Sequence, residues 1–219
     1  MNRLDYPPRL ELARVPTPLQ YLARASDKWG AGKRLWIKRD DLTGSALTGN
    51  KIRKLEFIGA HALEQGYQTL VTCGGVQSNH CRATALVAAQ LGLDCHLVLR
   101  ADGEPEAFTG NFLLDQLAGA SHEIWPAADW GRQLKDTFSR LEASFDAAGR
   151  PALMIPTGGS DSLGIWGYIR AAEELGADLG NQAIETAAVV MATGSAGTQT
   201  GLTAGAAIFD LPLHVIGYA

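Results

Sequence analysis

The sequence predicts an α/β protein whose strands form a mostly parallel sheet. Short apolar runs alternate along the chain with segments that carry apolar residues at helical spacing, and this alternation is typical of βαβ units. Several of the apolar runs end in glycine-rich turns, which predicts loops at the carboxyl ends of strands. Ligands of open parallel sheets bind at those ends, so the polar residues that follow each strand are the candidate site residues.

The first part of the chain contains several prolines and is expected to begin irregularly. The segment TPLQYLARASDKWG predicts a helix, with Thr17 as its N-cap and Pro18 at the first helical position. A strand is expected over Leu35–Leu42, where it runs into an acidic turn. A helix is then predicted to begin at Lys51, after a glycine-rich turn, and to end at Gly66.

The alternation of strands and helices continues to the end of the chain. Strands are expected over 69–74, 95–100, 121–127, 152–159, 187–192 and 213–219, and helices over 78–92, 111–119, 129–149, within 160–180, and after the glycine-rich loop that follows residue 192. Nothing follows the last strand, whereas a parallel strand normally has a covering helix and a neighbour. We therefore expect this chain to be the N-terminal portion of a longer protein.

Composition and charge exclude several classes of protein. The formal net charge of −4 argues against a general nucleic-acid binder, which needs a basic surface. The three cysteines form no CxxC pair, which excludes a disulfide framework or a zinc site and fits a reducing compartment. No apolar run is long and uncharged enough to span a bilayer, and the N-terminus lacks a secretory pattern. We expect a cytoplasmic protein without a bound metal.

The segment TGSALTGNKIRKLEF places Lys51 at the start of an amphipathic helix, with Arg53 and Lys54 close by. Neighbouring positive charges and burial both disfavour the protonated amine. A lysine that loses its proton near neutral pH attacks carbonyl carbons, including aldehydes. A solvated helix start is the other interpretation that these residues leave open. A nucleotide-binding P-loop is excluded, because Asn50 precedes the lysine and Ile52 replaces the magnesium-binding hydroxyl.

The second motif is TGSAGTQTG, Thr193–Gly201, at the end of a predicted strand and the start of a predicted helix. Its glycines let the backbone approach a ligand closely, its hydroxyl groups can donate hydrogen bonds, and the helix start attracts anions. A phosphate is the expected occupant, and a tight turn without a ligand is the alternative. The spacing is not GxGxxG, so the fingerprint of a nicotinamide dinucleotide site is absent.

The third motif is GGVQSNHCR, in which Ser78 is a plausible N-cap after a Gly-Gly turn. The amides of Ser78, Asn79 and His80 would form a cradle for a carboxylate, and Asn79 can donate to a ring oxygen. An ordinary capped helix is the alternative. The three motifs together indicate pyridoxal 5'-phosphate, which has an aldehyde for the lysine, a phosphate for the glycine-rich loop and a ring oxygen for Asn79. An amino-acid substrate would bring the carboxylate.

The segments GNKIRKLEF, CGGVQSNHCRATA, PTGGSDSLGIWGYIRAAEE and ATGSAGTQTGL resemble the D-cysteine desulfhydrase and 1-aminocyclopropane-1-carboxylate deaminase family. The resemblance extends from about Tyr6 to the C-terminus. It implies the tryptophan-synthase-β-like fold (fold type II) of pyridoxal-phosphate enzymes, with two open, mostly parallel αβα sheets. Residues 1–55 and 165–219 would form a larger cofactor-binding domain, incomplete here, and residues 56–164 a smaller inserted domain, with the cofactor between them.

The resemblance also implies roles for individual residues. Lys51 would bind the cofactor covalently, and Lys51 and Ser78 would be the catalytic residues. Asn79 would hold the 3′-oxygen of the pyridine ring, and Ser78 with the amides of Asn79 and His80 would receive the substrate carboxylate. Gly159, in a strand-end turn, is a further candidate for the substrate pocket. The residues implied for the phosphate are Gly194, Ser195, Ala196, Gly197 and Thr198.

The expected reaction is β-elimination from a small amino acid, with D-cysteine giving pyruvate, sulfide and ammonia. A 1-aminocyclopropane-1-carboxylate deaminase, a lyase acting on cysteate and an inactive truncated member are the alternatives. We also expect a homodimer. Two departures from the family stand out, because Thr48 replaces a glycine and the family continues beyond the equivalent of Ala219. The absent part carries the group that faces the pyridine nitrogen.

Overall fold

The computed structural model describes residues 4–103 and 109–219, and its helices alternate with short strands. In chain order the elements are β1 (Leu19–Tyr21), α1 (Ala23–Trp29), β2 (Trp36–Lys38), α2 (Lys51–Glu64), β3 (Thr69–Gly75), α3 (Asn79–Leu91), β4 (Asp94–Arg100), α4 (Gly110–Leu117), β5 (Ser121–Trp125), α5 (Ala127–Ala147), β6 (Ala152–Met154), α6 (Trp166–Asn181), β7 (Ala187–Ala192), α7 (Gly197–Ile208) and β8 (Leu213–Tyr218). Two short 3₁₀ turns, Asp40–Leu42 and Thr157–Gly159, lie at strand ends.

Two parallel sheets organise these elements, which confirms the predicted α/β class. Four parallel strands form one sheet in the order β5-β4-β3-β6, and β7 pairs in parallel with β8. The central strand β3 is buried along most of its length, as expected when helices cover both faces of a parallel sheet. The four-stranded sheet lies wholly within the segment predicted as the inserted domain, and the division into domains stays a prediction.

The predicted helix at Thr17 is wrong at its start. Residues Leu19–Tyr21 instead pair antiparallel with β2, and the helix begins at Ala23. Thr17 is not the N-cap, which is Leu22; Thr17 is buried, and its backbone N–H and Oγ1 both donate to Glu174 Oε1, at 2.8 and 3.3 Å. This tertiary contact holds the chain extended, against the local helical pattern.

Two predicted strands are shorter than expected. The strand predicted over Leu35–Leu42 covers only Trp36–Lys38, because residues 40–42 form a 3₁₀ turn. The strand predicted over 152–159 ends at Met154, where pairing with β3 stops, and is followed by the turn Thr157–Gly159. Where the pairing stops, each turn accepts a hydrogen bond from α2: Arg53 donates to Asp40, and Lys54 donates to the Gly158 carbonyl oxygen.

Helix α2 begins at Lys51 and ends at Glu64, and Gly66 follows with a positive φ of 73°, which confirms the predicted bounds. Its apolar face, including Ile52 and Leu55, is part of the core that covers the four-stranded sheet. Helix α6 packs against it so closely that a Cβ on Gly167 would overlap the carbonyl oxygen of Arg53. Lys51 therefore stands at the start of a helix that is enclosed on both sides.

A buried ionic network fixes the first turn of α2. The Arg53 guanidinium, 3% exposed, donates to Asp40 Oδ1 at 2.8 Å and to Glu174 Oε2 at 2.9 Å. The Tyr168 hydroxyl also donates to Asp40, at 2.6 Å. Burial alone would raise the pKa of Glu174, but hydrogen bonds from Arg53 and Lys38 lower it to about 2. Removing one member would leave its partners buried and uncompensated, so the network holds this turn in place.

The three cysteines, Cys73, Cys81 and Cys95, are buried and unbridged. Within residues 4–103 and 109–219, no cluster of three histidine, cysteine or acidic side chains is arranged to hold a metal ion. Across the same ranges no helix is both long and apolar enough to cross a membrane.

Candidate active site at the strand ends

Lys51 and Lys54 lie one helical turn apart on the same side of α2, at the ends of the strands. Burial lowers the pKa of Lys51, which is only partly buried. Burial and the charge of Lys51 together lower the pKa of Lys54 to about 8. The Arg53 side chain points into the ionic network and away from the lysines. Of the three neighbouring cations that the sequence suggested, only Lys51 and Lys54 therefore lie close together.

Lys54 is a buried cation with neutral partners. Its side chain is 1% exposed, and Nζ donates to the carbonyl oxygen of Gly158 at 3.0 Å and to Ser160 Oγ at 3.1 Å. Among the ion pairs within 4 Å in the described ranges, none includes Lys54. A buried ammonium group needs a compensating charge, so this position favours an anion.

The turn Thr157–Gly159 lies between the lysines and the glycine-rich loop. Ser160 Oγ is 2.8 Å from Ser195 Oγ, which links Lys54 to that loop. Gly158 adopts a φ of 72°, and a Cβ there would lie 2.5 Å from Ser195 Oγ and 3.4 Å from Lys51 Nζ. The structure therefore brings Lys51 and Ser195, which are far apart in the sequence, close to the same face of Gly158.

The glycine-rich loop presents the start of α7 towards the same place. Ala196 adopts the left-handed conformation, with φ 60°, and no side chain caps the helix. A left-handed alanine is strained, and strain of this kind is concentrated at functional sites. The Gly197 amide donates to the Ser195 carbonyl oxygen at 2.8 Å, whereas the next two amides of the first turn have no partner within the helix and can bind an anion. Asn50 Nδ2 donates to Thr198 Oγ1 at 3.2 Å, so the residue before Lys51 is tied to this loop.

Ser78, Asn79 and His80 lie at the start of α3. Ser78 is the N-cap, as predicted, and its Oγ accepts from the backbone N–H groups of His80 and Cys81, each at 3.2 Å. The His80 amide thus already has a partner within the cap. Asn79 is exposed, and its Oδ1 accepts from Asn111 Nδ2 at 2.9 Å.

The His80 side chain belongs to the interior. It is 3% exposed, and Nε2 lies 2.9 Å from Thr72 Oγ1. Burial, followed by the charges of Lys51 and Lys54, lowers the pKa of His80 to about 3, so the ring is neutral. A Cβ on Gly159 would lie 3.3 Å from His80 Cε1, which places the predicted pocket glycine directly above this ring.

Sequence reasoning missed three residues around this site. Lys54 follows Lys51 by three positions on a helix, and that spacing signals that the two side chains share a face. Asn50 precedes the lysine directly and could have been singled out as part of the loop. Asn111 gives no signal in the sequence, because its contact to Asn79 spans 32 positions.

A groove of about 920 Å³ runs from the site between β2 and β7. Asn50 and Thr198 lie at its site end, and residues of β2, α6 and β7 contribute to its lining. Within the described ranges nothing covers the outer face of β7, where Val190 is 63% exposed.

Comparison with known proteins gives consistent matches. Residues 10–217 match the family described as pyridoxal-phosphate dependent enzyme. D-cysteine desulfhydrase from Klebsiella pneumoniae (strain 342) is 45% identical over 203 residues, which are 90% of this chain and 60% of that protein. The crystal structure of an ACC deaminase homologue superposes with a TM-score of 0.85 at 38% identity, and covers 96% of this chain and 63% of that one.

A more distant structure shares the fold alone. O-ureido-L-serine synthase has a TM-score of 0.71 at 19% identity, over 94% of this chain and 60% of that one. The chain therefore spans about three fifths of the length of the relatives that it matches.

Proposed function

Since this chain belongs to the pyridoxal-phosphate-dependent enzyme family, we propose that the protein eliminates the β-substituent of a small amino acid, with D-cysteine as its substrate. The products would be pyruvate, sulfide and ammonia. Identity of 45% to a D-cysteine desulfhydrase supports this substrate. The observation that carries the proposal is the convergence of Lys51, Lys54 and the Ser195 loop at the strand ends.

The residues at the site fit pyridoxal phosphate, the cofactor of the family. Lys51 offers a partly buried amine with a lowered pKa for the aldehyde. Lys54, the Ser195 hydroxyl and the amides at the start of α7 offer charge and donors for the phosphate, and both of the hydrogen bonds that Lys54 donates go to neutral oxygens that an anion could replace. When bound, the cofactor supplies an electron sink for the negative charge that develops at the substrate Cα.

Lys51 is the residue proposed to move the proton. Its amine would accept the proton from the substrate Cα, and burial increases the fraction of the amine that is unprotonated at neutral pH. The neutral His80 ring is bonded to Thr72 and takes no part in this transfer.

The start of α3 is proposed to hold the substrate. The Ser78 hydroxyl and the Asn79 amide lie at the beginning of a helix, where the dipole favours a carboxylate. Because the His80 amide bonds to Ser78 Oγ, a carboxylate here would share that donor with the cap. Gly159 remains the predicted wall of this pocket.

A deaminase that opens 1-aminocyclopropane-1-carboxylate is the second candidate. It would give α-ketobutyrate and ammonia, and the 38% identical ACC deaminase homologue supports it. An inactive member of the family is the candidate from another class. The cytoplasmic location and the homodimer stay predictions.

Turnover of the purified chain with added pyridoxal phosphate tests these candidates. We expect D-cysteine to release sulfide and pyruvate, whereas α-ketobutyrate from the cyclopropane substrate would favour the deaminase. Lys51→Ala should abolish both the product and the visible absorbance of the lysine-bound cofactor. Lys135→Ala, at an exposed lysine of α5, is the matched control and should change neither. Unchanged turnover in Lys51→Ala would refute the proposed chemistry.

A further inference from the structure

A relay of hydrogen bonds leads from Arg82 through Asn111 to Asn79. Asn111, in the first turn of α4, donates from Nδ2 to Asn79 Oδ1 at 2.9 Å and to the Gln77 carbonyl oxygen at 2.9 Å. Its Oδ1 accepts from Arg82 Nη1 at 3.4 Å, and its backbone N–H donates to Gln77 Oε1 at 2.8 Å. Both the backbone and the side chain of Asn111 are therefore held.

The chemistry of the groups fixes the direction of every bond in this relay. An arginine guanidinium only donates, so the oxygen of the Asn111 amide must face Arg82 and its NH₂ group must face Asn79. That NH₂ group also only donates, so Asn79 must present its oxygen to it. Within residues 4–103 and 109–219 the remaining polar group of Asn79, its Nδ2 donor, has no hydrogen bond and can meet a ligand.

Arg82 is itself anchored beside the lysine turn. It is 9% exposed, and Nη2 donates to the Thr48 carbonyl oxygen at 2.8 Å, three residues before Lys51. Arg82, whose charge is permanent, thus determines the orientation of the Asn111 amide and, through it, that of the Asn79 amide. Arg82 itself is held by the turn that precedes Lys51.

We propose that Asn111 is a positioning residue that fixes the Asn79 amide with its donor towards the cofactor, and that Arg82 fixes Asn111 in turn. This rests on the proposed function, in which Asn79 meets the ring oxygen of pyridoxal phosphate. A ring oxygen that carries negative charge only accepts hydrogen bonds, so it requires the donor. The reversed amide would place one oxygen against another and weaken binding.

Asn111→Asp tests this proposal because it keeps the shape and removes the donor. The new carboxylate can only accept, so it should turn the Asn79 amide around. Asn111→Ala removes the contact with Asn79 without reversing the Asn79 amide. Its effect on cofactor binding should therefore be smaller than that of Asn111→Asp. Asn181→Asp, at an exposed asparagine at the end of α6, adds the same charge elsewhere and is the matched control.

The first measurement needs no cofactor. In ¹H–¹⁵N spectra of the apo chain, the Asn79 NH₂ signals are identified by their loss in Asn79→Asp. We expect Asn111→Asp to shift these signals and to slow the solvent exchange of one proton, because it becomes hydrogen-bonded. Unchanged Asn79 signals in a folded Asn111→Asp chain, with unchanged signals in Asn111→Ala, would overturn the proposal.

The second measurement is the dissociation constant of pyridoxal phosphate from absorbance titration. We expect Asn111→Asp to raise it about tenfold, Asn111→Ala less, and the control by less than about twofold. Equal effects of the aspartate and alanine variants would contradict a role in orienting the amide. Shifted Asn79 signals with unchanged cofactor affinity in both Asn111→Asp and Asn79→Ala would support the relay and refute the cofactor contact of the proposed function.

Discussion

Asp115, on α4, is fully buried, and neither carboxylate oxygen has a hydrogen-bond partner within the described ranges. Burial raises its pKa from 3.8 to about 7, although the charge of Arg82 opposes the shift. The unfolded chain would titrate this group near its ordinary value of about 3.9. Between about pH 4 and pH 7 the folded chain therefore binds more protons than the unfolded chain.

The sign of the effect on stability follows from this difference. Stability falls with rising pH wherever the folded state binds more protons, so Asp115 destabilises the chain above pH 7 relative to acid pH. A pKa of about 7 in the folded chain against about 3.9 in the unfolded chain corresponds to about 4 kcal/mol over the full range, and to about 2.6 kcal/mol between about pH 5 and pH 8. These values are upper limits, because the charge of a buried group is partly relieved by local relaxation.

Asp115→Asn removes the titration and keeps the size and the helix propensity of the side chain. We measure the free energy of unfolding of both chains by urea denaturation. The value for the variant minus the value for the native chain should increase by up to about 2.6 kcal/mol from pH 5 to pH 8. Asp136→Asn, at an exposed carboxylate of α5, removes the same charge and should not change the pH dependence. An Asp115→Asn variant whose pH dependence parallels that of the native chain would refute the reasoning.

Two further predictions concern the enclosed helix α2. Lys54→Gln should weaken binding of pyridoxal phosphate by about tenfold or more and leave binding of pyridoxal, which lacks the phosphate, almost unchanged; equal losses for both ligands would place Lys54 away from the phosphate. Gly167→Ala should destabilise the chain by about 1–3 kcal/mol in urea denaturation, because its Cβ would overlap the Arg53 carbonyl oxygen. Gly180 lies on α6, as Gly167 does, but a Cβ added there meets open space, so Gly180→Ala should be neutral or stabilising. A similar loss of stability at both positions would point to helix propensity instead of packing.

The elements that could be predicted from the sequence are those whose ends are set locally. Helix α3 has its N-cap at Ser78 and a left-handed glycine at Gly92, and both signals lie within the helix ends themselves. The strand β1 could not be predicted, because it is held by pairing with β2 and follows a bond between Thr17 and Glu174, which are 157 positions apart. The local sequence pattern therefore predicted the parallel α/β scaffold. It failed where a contact with Glu174, which is distant in the sequence, overrides the local helical pattern.

The same distinction applies to the candidate site. Lys51, Ser78 and Ser195 follow glycine-rich turns at strand ends, and such positions can be singled out without a structure. The direction in which Arg53 turns depends on Asp40 and Glu174, and the partner of Asn79 depends on how α4 lies beside α3. Sequence spacing shows which side chains share a helix face, but the partners of those side chains come from packing.

The two lysines of α2 show why a lowered pKa alone does not identify the nucleophile. Lys54 has the value of about 8, yet it is enclosed and both of its hydrogen bonds go to neutral oxygens, whereas Lys51 remains partly exposed. The repulsion between the two ammonium groups acts in both directions, since interacting groups titrate as a pair. Under the proposed function, a phosphate beside Lys54 would compensate the charge of that buried amine, and the partly exposed Lys51, whose pKa is lowered by burial, would meet the aldehyde.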